Sequence, residues 1–438
     1  MTKLKRKINT HNLPFKPSKW PFFYGWFIIF AAMVGTVASV PGQTFGVSAF
    51  TEHIIDALDI NRTLLSAAYL FGTIGSAFLL TWGGKLYDKV GARLTALAAA
   101  SGLGLILLYL SGIDTVSAKL GAVFGEDIKP WTTFAAITFG FLLLRFCGQG
   151  MLTMTSRNML MKWFDHRRGL ANGIMGSVVA LTFSGTPFVF DAAISSFGWQ
   201  ASWMLMGIIV LGIICTFIII FFRDNPEACD LLPDNGKGAK PGDPKHDPDQ
   251  DYTLPQARKT PAFWVYNLSV AIHALYFTAF TFHIVSIFEQ VGIGKTKAFA
   301  IFIPASAIAV VARIICGWIS DHIPLRLILF TFMTGVAISM GGVMLLATPV
   351  GYYMIILGNG IAGGVFGLLS TVTWPRLFGR THLGAISGFH MSWVVAFSAL
   401  GPFLFGLSLK YLDSYLTAIA ACLGVLFILF LRALKLEG

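Results

Sequence analysis

The sequence predicts an all-α polytopic membrane protein whose twelve transmembrane helices form two pseudo-symmetric six-helix bundles. Three observations predict this fold class: an apolar composition, a series of long apolar stretches, and a charged motif that occurs twice. The mean hydropathy is +0.71 and only 12% of the residues are charged, whereas about a quarter are charged in soluble globular proteins. An ordinary soluble protein is therefore excluded.

The apolar stretches set the number of transmembrane helices. A helix needs about 20 apolar residues to cross a bilayer core of about 30 Å. A β-barrel would show short alternating segments instead, so we expect helices throughout. Twelve candidate spans lie between charges and turn residues, near 23–48, 63–83, 92–112, 132–155, 168–190, 201–222, 263–288, 298–320, 326–347, 351–374, 383–408 and 412–432.

The basic net charge of +11 orients the chain in the membrane. If the N-terminus is cytoplasmic, 24 of the 32 lysines and arginines fall on the inner side and only 6 on the outer side. Such an imbalance is the positive-inside rule, and it predicts that both termini are cytoplasmic. We expect a multi-pass protein of the plasma (inner) membrane, and we do not expect a nucleic-acid partner.

A polar segment divides the chain into halves. Residues 223–260 are rich in Pro, Gly, Asp and Lys and lack an apolar run, which is typical of a flexible linker. Six predicted spans precede this segment and six follow it. We therefore expect an N-terminal bundle over 1–222, a cytoplasmic linker over 223–260 and a C-terminal bundle over 261–438.

The charged motif occurs once in each half. It reads GGKLYDKVGAR at 83–93 and GWISDHIPLR at 317–326. Three positions recur with the same spacing of 233 residues: Gly84, Asp88 and Arg93 in the first half and Gly317, Asp321 and Arg326 in the second. Transporters that rock about a central site are built from two such matching halves, with the substrate near the bilayer midplane.

These motifs resemble those of the major facilitator superfamily. GKLYDKVGAR matches its loop between helices 2 and 3, RFCGQG at 145–150 is similar to its helix-4 motif, and GSVVALTFSGTP at 176–187 partly matches its helix-5 motif. Within the superfamily, KWFDHRRGLANGI at 162–174 and ARIICGWISD at 312–321 resemble monocarboxylate porters and oxalate–formate antiporters. The resemblance implies the major facilitator fold and secondary transport by alternating access.

The resemblance also implies a cytoplasmic latch between the halves. Asp88 lies where it can meet Arg93 or the positive N-terminal end of a neighbouring helix. We assign gating roles to both copies of the motif and to the helix-4 arginine, that is to Gly84, Asp88, Arg93, Arg145, Asp321 and Arg326. The alternative is a plain turn whose charges hold the loop on the inner side.

Arg145 and Arg313 each lie within a span that has no other charged residue. An arginine at a span centre costs roughly 2.5–3.5 kcal/mol on insertion scales, so it normally faces an interior cavity. We expect Arg313 to bind the carboxylate of the substrate, because a guanidinium offers a planar fork that matches this group. The alternative for Arg313 is a structural role on backbone carbonyls between helices.

Two departures from the resembling families bear on the substrate. Ala309 stands where animal monocarboxylate porters have an aspartate, and residues 383–409 contain neither Lys nor Arg where oxalate antiporters have a lysine. One fixed cation suits a monoanion better than a dianion. We therefore expect a monocarboxylate, coupled to a proton or a counter-anion.

The remaining polar side chains in the spans complete the candidate site. We assign substrate contact to Gln43, Tyr69, Asn359 and His390, although packing between helices would explain each of them as well. His283 is the preferred coupling residue because histidine changes charge near neutral pH, with a neutral, hydrogen-bonded imidazole as the alternative. No metal-ligand spacing or nucleotide-binding loop is present, so we expect no cofactor and no metal.

The rival functions follow from the same residues. A carrier of a neutral or zwitterionic solute would use Arg145 and Arg313 structurally. A membrane enzyme would show paired carboxylates at membrane depth, and the spans show none, so we do not expect an enzyme. A non-transporting sensor would carry a folded soluble domain, which 223–260 does not provide. We expect a monomer.

Overall fold

The computed structural model describes residues 13–125, 127–236 and 251–436, except the side chain of Phe45. The contacts divide the chain into two compact units. Unit 1 comprises Met1–His166 and Val178–Pro248, and unit 2 comprises Arg167–Ser177 and Asp249–Gly438. The predicted domain boundaries remain a prediction, but the start of the fifth predicted span packs within unit 2.

The first half of the chain contains eleven α-helices in the described residues. They are α1 (Gly25–Ala38), α2 (Thr44–Ser48), α3 (Thr51–Leu58), α4 (Arg62–Val90), α5 (Ala92–Ser111), α6 (Ile113–Phe124), α7 (Lys129–Leu144), α8 (Thr153–Trp163), α9 (Arg168–Phe197), α10 (Trp199–Ile209) and α11 (Cys215–Phe221). The π-helical segment Arg145–Leu152 joins α7 to α8, and Val210–Ile214 joins α10 to α11. Each joined pair therefore forms one apolar span, Lys129–Trp163 or Trp199–Phe221.

The second half contains α12 (Leu254–Ala257), α13 (Pro261–Glu289), α14 (Lys295–Ala300), α15 (Phe302–Ser320), α16 (Leu325–Met344), α17 (Pro349–Phe378), α18 (Leu383–Leu412) and α19 (Leu416–Ala433). Across the described residues, eleven helical spans are long and apolar enough to cross a membrane, and α1 is a shorter twelfth. The predicted all-α polytopic fold is confirmed.

The first predicted span differs from the expected continuous helix over 23–48. Helix α1 ends at Ala38, and a 3₁₀ turn over Val40–Gly42 precedes α2. Pro41 contributes no amide hydrogen to the helical ladder. A Cβ atom on Gly42 would lie 2.6 Å from the carbonyl oxygen of Leu144. The break therefore lets this backbone pack directly against the end of α7.

Small residues bring the helices of unit 2 into close contact, as is common between membrane helices. A Cβ atom on Gly358 of α17 would lie 2.3 Å from the amide nitrogen of Ser339 in α16. A Cβ atom on Gly169 of α9 would lie 2.1 Å from the carbonyl oxygen of Gly317 in α15. The second contact explains why the start of α9 belongs to unit 2.

The two described ends of the predicted linker are fastened to the helical units by aspartates. In unit 1, Asp234 Oδ2 accepts hydrogen bonds from the amides of Asp165 and His166, both over 2.7 Å, in the turn before α9. The residues between 237 and 250 lie outside the described part of the chain. The linker thus contributes an acceptor to the turn between α8 and α9.

The other end repeats this arrangement in unit 2. Asp251 Oδ1 accepts from the amides of Arg380 (2.8 Å) and Thr381 (3.3 Å) in the turn between α17 and α18, and Oδ2 accepts from the Thr381 hydroxyl. These turn positions lie 215 residues after Asp165 and His166, so they are equivalent in the two halves. We call Asp234 and Asp251 the linker clamps.

Candidate functional site

The two repeated arginines bind carbonyl groups in their own units. Arg93 Nε donates to the carbonyl of Phe222 over 2.8 Å, directly after α11. Arg326 donates through Nη1 to the carbonyl of Leu436 over 2.5 Å, shortly after α19. Each arginine therefore ties its motif to the chain that follows the last helix of its half. The predicted gating role of the motif remains a prediction.

The second copy of the motif places its aspartate on a helix N-terminus. Asp321 accepts from the amides of Gly169 (2.7 Å) and Leu170 (3.0 Å) at the start of α9. A carboxylate is favoured there because the amides of a helix N-terminus carry partial positive charge. Burial raises the pKa of Asp321 above its usual range, and the two amide hydrogen bonds offset this only in part.

The first copy of the motif uses an acid that sequence analysis missed. The amide of Arg93, at the start of α5, donates to Asp224 Oδ1 over 2.9 Å. Gly91 precedes it with φ +89°, and a Cβ atom there would lie 2.1 Å from Asp224 Oδ2. Asp88 and Gly84 lie within α4, which continues to Val90, so the predicted turn is confined to Gly91. The only sequence signal for Asp224 is its position directly after the sixth span.

A polar cluster in unit 1 surrounds Arg145, which is 4% exposed. Arg145 Nη1 donates to the carbonyl of Gly42 (3.2 Å) and to Thr44 Oγ1 (3.3 Å). The guanidinium lies over the ring of Tyr69, 5.2 Å from its centroid, and the Tyr69 hydroxyl donates to Thr44 Oγ1 over 3.1 Å. We call Arg145, Thr44 and Tyr69 the Arg145 group. The sequence points to Tyr69 and Arg145 separately, and Thr44 has no local signal that marks it as a site residue.

Gln43 lies beside this group but makes contacts between helices. Its Nε2 donates to Ser39 Oγ (3.0 Å) and to Thr153 Oγ1 (3.2 Å). Ser39 and Thr153 are themselves 2.9 Å apart. Gln43 therefore joins the break after α1 to the start of α8.

Arg313 of α15 is held by backbone carbonyls in unit 2. Its Nη1 donates to Gly176 of α9 over 2.6 Å, and its Nη2 donates to Gly363 of α17 over 3.2 Å. A Cβ atom on Gly176 would lie 2.9 Å from Arg313 Cδ, so the glycine makes room for the side chain. Arg62 and Glu52 form an exposed ion pair, whereas neither Arg145 nor Arg313 meets a carboxylate among the described residues.

Asn359 belongs to a hydrogen-bonded chain across three helices. Ser339 of α16 donates to Asn359 Oδ1 over 2.8 Å, and the Tyr276 hydroxyl of α13 lies 2.7 Å from Ser339 Oγ. Asn359 is buried. These contacts are the ones expected if Asn359 serves packing between helices.

The two histidines of the candidate site connect α13 and α18. His390 Nδ1 lies 2.8 Å from Asn267 Oδ1, and its ring contacts Trp374 with 4.5 Å between centroids. His283 Nε2 lies 2.9 Å from the carbonyl oxygen of Pro402, a helix-interior proline of α18. Since a carbonyl can only accept, this nitrogen of His283 carries a hydrogen.

The other nitrogen of His283 meets a hydroxyl chain. His283 Nδ1 lies 3.2 Å from the Tyr415 hydroxyl, which lies 3.0 Å from Ser286 Oγ. In the residues that the structure describes, no three His, Cys, Asp or Glu side chains form a metal-binding group. The candidate polar groups are thus Arg145 and Gln43 in unit 1, and Arg313, His283, Asn359 and His390 in unit 2.

Comparison with known proteins identifies relatives along most of the chain. The sequence profile of the Major Facilitator Superfamily matches residues 32–402. The uncharacterized MFS-type transporter YcxA of Bacillus subtilis is 22% identical over 301 residues, which cover 65% of this chain and 62% of YcxA. The uncharacterized MFS-type transporter YhjX of Escherichia coli is 24% identical over 219 residues, covering 45% of this chain and 51% of YhjX. The matches thus span about half to three-fifths of these relatives.

Solved structures share the fold. A bacterial homologue of the iron transporter ferroportin, in an outward-facing state, is 12% identical with a TM-score of 0.65, covering 93% of this chain and 98% of its own. The human organic anion transporter MFSD10 is 11% identical with a TM-score of 0.59, covering 93% and 99%. At these identities the likeness shows the fold alone.

Proposed function

The chain belongs to the Major Facilitator Superfamily, and from this premise we propose that it is a secondary transporter of a small organic anion. The finer proposal is a monocarboxylate, moved by alternating access with proton or counter-anion coupling. We place it in the plasma (inner) membrane with both termini cytoplasmic, as the distribution of basic residues favours.

The main support for the proposal is that Arg313 is held by carbonyl groups and has no acid partner in the described residues. Its guanidinium is positioned by the carbonyls of Gly176 and Gly363, and no acidic side chain in the described residues neutralises it. Two neutral acceptors fix the orientation of the fork but leave its charge uncompensated. Two of the five N–H donors are occupied in these bonds, so the others remain for a carboxylate.

A neutral or zwitterionic solute is the alternative, because carbonyl partners alone would also suit a structural arginine. Arg145 weighs against this alternative. It is a buried cation without an acid partner in the described chain, and such a charge is costly in a membrane span. An anionic substrate would compensate positive charge that the protein itself leaves open.

The other assigned residues support this site in different ways. Gln43 makes its hydrogen bonds within unit 1, and Asn359 and His390 make theirs within unit 2, so we propose that each positions the helices of its own unit. His283 is the proposed coupling residue, since its ring bridges the Pro402 carbonyl and the Tyr415 hydroxyl.

The gating proposal concerns the repeated motif. We propose that Gly84, Asp88, Arg93, Arg145, Asp321 and Arg326 control the change between inward- and outward-facing states. Asp88→Asn should lower the uptake rate while membrane insertion stays intact. A normal rate in this variant would reject the latch.

Uptake into proteoliposomes tests the substrate proposal. Labelled formate, acetate, pyruvate, lactate, oxalate and succinate are supplied with and without a pH gradient. We expect saturable uptake of one or more monocarboxylates, a sharp loss of affinity in Arg313→Lys, and no binding in Arg313→Gln. Near-normal affinity in inserted, folded Arg313→Gln protein would reject the assignment, and uptake of neutral solutes alone would favour the alternative.

A further inference from the structure

The Arg145 group contains more hydrogen-bond donors than acceptors. Thr44 Oγ1 accepts from the Tyr69 hydroxyl over 3.1 Å and from Arg145 Nη1 over 3.3 Å. A hydroxyl oxygen has two acceptor positions, and both are used here. The proton of the Thr44 hydroxyl is therefore directed to a third partner. No side chain or carbonyl in the described part of the chain fills that role.

The charge of the group is also uncompensated. Arg145 Nε is buried without a hydrogen-bond acceptor in the described chain, and no carboxylate pairs with the guanidinium. The Tyr69 ring face stabilises the cation but cannot neutralise it. A buried donor that is left unsatisfied is destabilising, and more so when it is charged.

The group is accessible through Thr44. Thr44 is exposed and Tyr69 is half-buried, whereas Arg145 lies behind them. The site also stands at the break of the first span, where the carbonyl of Gly42 is turned toward Arg145. Interrupted helices of this kind form ligand sites in membrane transporters because they free polar backbone groups at membrane depth.

We propose that the Arg145 group is an anion-binding site of unit 1, in which the Thr44 hydroxyl donates to a carboxylate oxygen. Arg145 polarises this hydroxyl from behind, and Tyr69 fixes the orientation of its oxygen. The anion itself is expected to be the transported carboxylate, and this identification rests on the proposed function. Arg145 and Tyr69 are thus positioning residues, and Thr44 is the contact residue.

The test compares binding to purified full-length protein by calorimetry, with pyruvate, lactate, succinate and nitrate as probes. Thr44→Val keeps the shape of the side chain and removes the donor. Loss of a hydrogen bond to a charged group should weaken binding about 10- to 100-fold. Thr44→Ser restores the hydroxyl and should bind within about twofold of the wild type.

Thr73→Val is the matched control. It removes a buried hydroxyl of α4 that has no hydrogen-bond partner in the described chain, and it should leave binding unchanged. Tyr69→Phe provides a second route if Thr44→Val fails to fold, and it should weaken binding severalfold through Thr44. Wild-type affinity in Thr44→Val, or equal losses in Thr44→Ser and Thr44→Val, would overturn the proposal.

Failure of the proposed function gives a different result. If the wild type binds nitrate but no carboxylate, and Thr44→Val loses nitrate, the anion site stands and the carboxylate substrate is rejected. If Arg313→Gln abolishes carboxylate transport while Thr44→Val binds normally, the substrate proposal stands and this site is rejected. Absence of binding by every anion to the wild type would reject both.

Discussion

Arg313 and Gly176 are joined by a 2.6 Å hydrogen bond between a guanidinium Nη1 and a main-chain carbonyl. The contact depends on the missing side chain of the glycine, since a Cβ atom there would lie 2.9 Å from Arg313 Cδ. A helix backbone thus fixes the direction of the cation that we propose to bind the substrate.

Gly176→Ala should displace this arginine and weaken substrate binding about tenfold, since the guanidinium would lose a charged hydrogen bond and its alignment. The measurement is the concentration dependence of uptake in proteoliposomes. Gly185→Ala is the control on the same helix, because a Cβ atom there meets nothing within 4 Å. Equal affinities of the two variants would contradict the role of this contact.

Asp321 should make stability fall as pH rises. Burial raises its pKa in the folded protein, so the native state holds the proton more tightly than the unfolded state. The free energy of unfolding therefore falls as the pH rises from about 4, the pKa of the unfolded state, through the higher pKa of the native state. The total loss is about 1.4 kcal/mol for every pH unit that separates these two pKa values.

Asp321→Asn carries no titrating proton at this site. Its stability relative to the wild type should therefore increase between pH 4 and pH 7, although it loses one charged acceptor at the start of α9. Thermal unfolding in detergent across this range gives the comparison. A relative stability that is constant or decreases with pH would show that the carboxylate is not destabilised by burial.

Asp251 should have the opposite pH dependence. Burial tends to raise its pKa, but hydrogen bonds from the Thr381 hydroxyl and amide and from the Arg380 amide outweigh this and lower it. The ionised Asp251 carboxylate stabilises the fold at pH values above the pKa of the unfolded state. This stabilisation is lost as the pH falls through the lower pKa of the native state. Asp251→Asn should cost roughly 0.5–1 kcal/mol at pH 7, since solvent screens this site, and the cost should shrink in acid.

Thermal unfolding of Asp251→Asn across pH 3–7 measures this cost. Asp56→Asn, on the exposed face of α3, is the control and should show little change. A destabilisation of Asp251→Asn that grows in acid would be inconsistent with a clamp that depends on the ionised carboxylate.

His283 should determine the pH profile of transport. Its Nε2 donates to Pro402, so a second proton must enter at Nδ1, which faces the Tyr415 hydroxyl. The protonated ring would then donate to Tyr415, and Tyr415 would donate to Ser286. The imidazole ring therefore takes up the added proton, and the two hydroxyl groups keep their hydrogen bonds.

His283→Gln keeps a donor for Pro402 but cannot take up the proton, so its uptake should no longer respond to an imposed pH gradient. Uptake rates with an imposed pH gradient provide the measurement. His53→Gln, an exposed histidine of α3, should behave as the wild type. An unchanged profile in His283→Gln would remove this residue from the coupling step.

The fold was predictable from sequence because its signals are local. Apolar runs of sufficient length, and a motif such as Asp88 to Arg93 repeated at a fixed spacing, do not depend on tertiary contacts. The partners of the motif and of Arg313 were not predictable in this way. Asp224 lies 131 residues from Arg93, and Gly176 lies 137 residues from Arg313. Nothing local distinguishes these residues from other loop acids or helix glycines.

Thr44 shows the same limit within the site. A threonine in an apolar span is ordinarily a packing residue. Thr44 accepts from Tyr69 and from Arg145, and Arg145 lies 101 residues later in the chain. The break over Val40–Gly42 had a visible cause in its proline and glycine. Its consequence, a carbonyl available to that arginine, required the folded chain.

Each linker clamp holds its end of the linker within its own unit. A chain cut between Lys237 and Gln250 would give two fragments, each of which keeps its own clamp, Asp234 or Asp251. The first fragment would still carry Arg167–Ser177, the stretch that packs within unit 2. Its first turn would present the amides of Gly169 and Leu170 to Asp321 on the second fragment. Two co-expressed halves could therefore associate through the hydrogen bonds of Gly169 and Leu170 to Asp321. A reporter inserted at the cut would leave these residues unchanged.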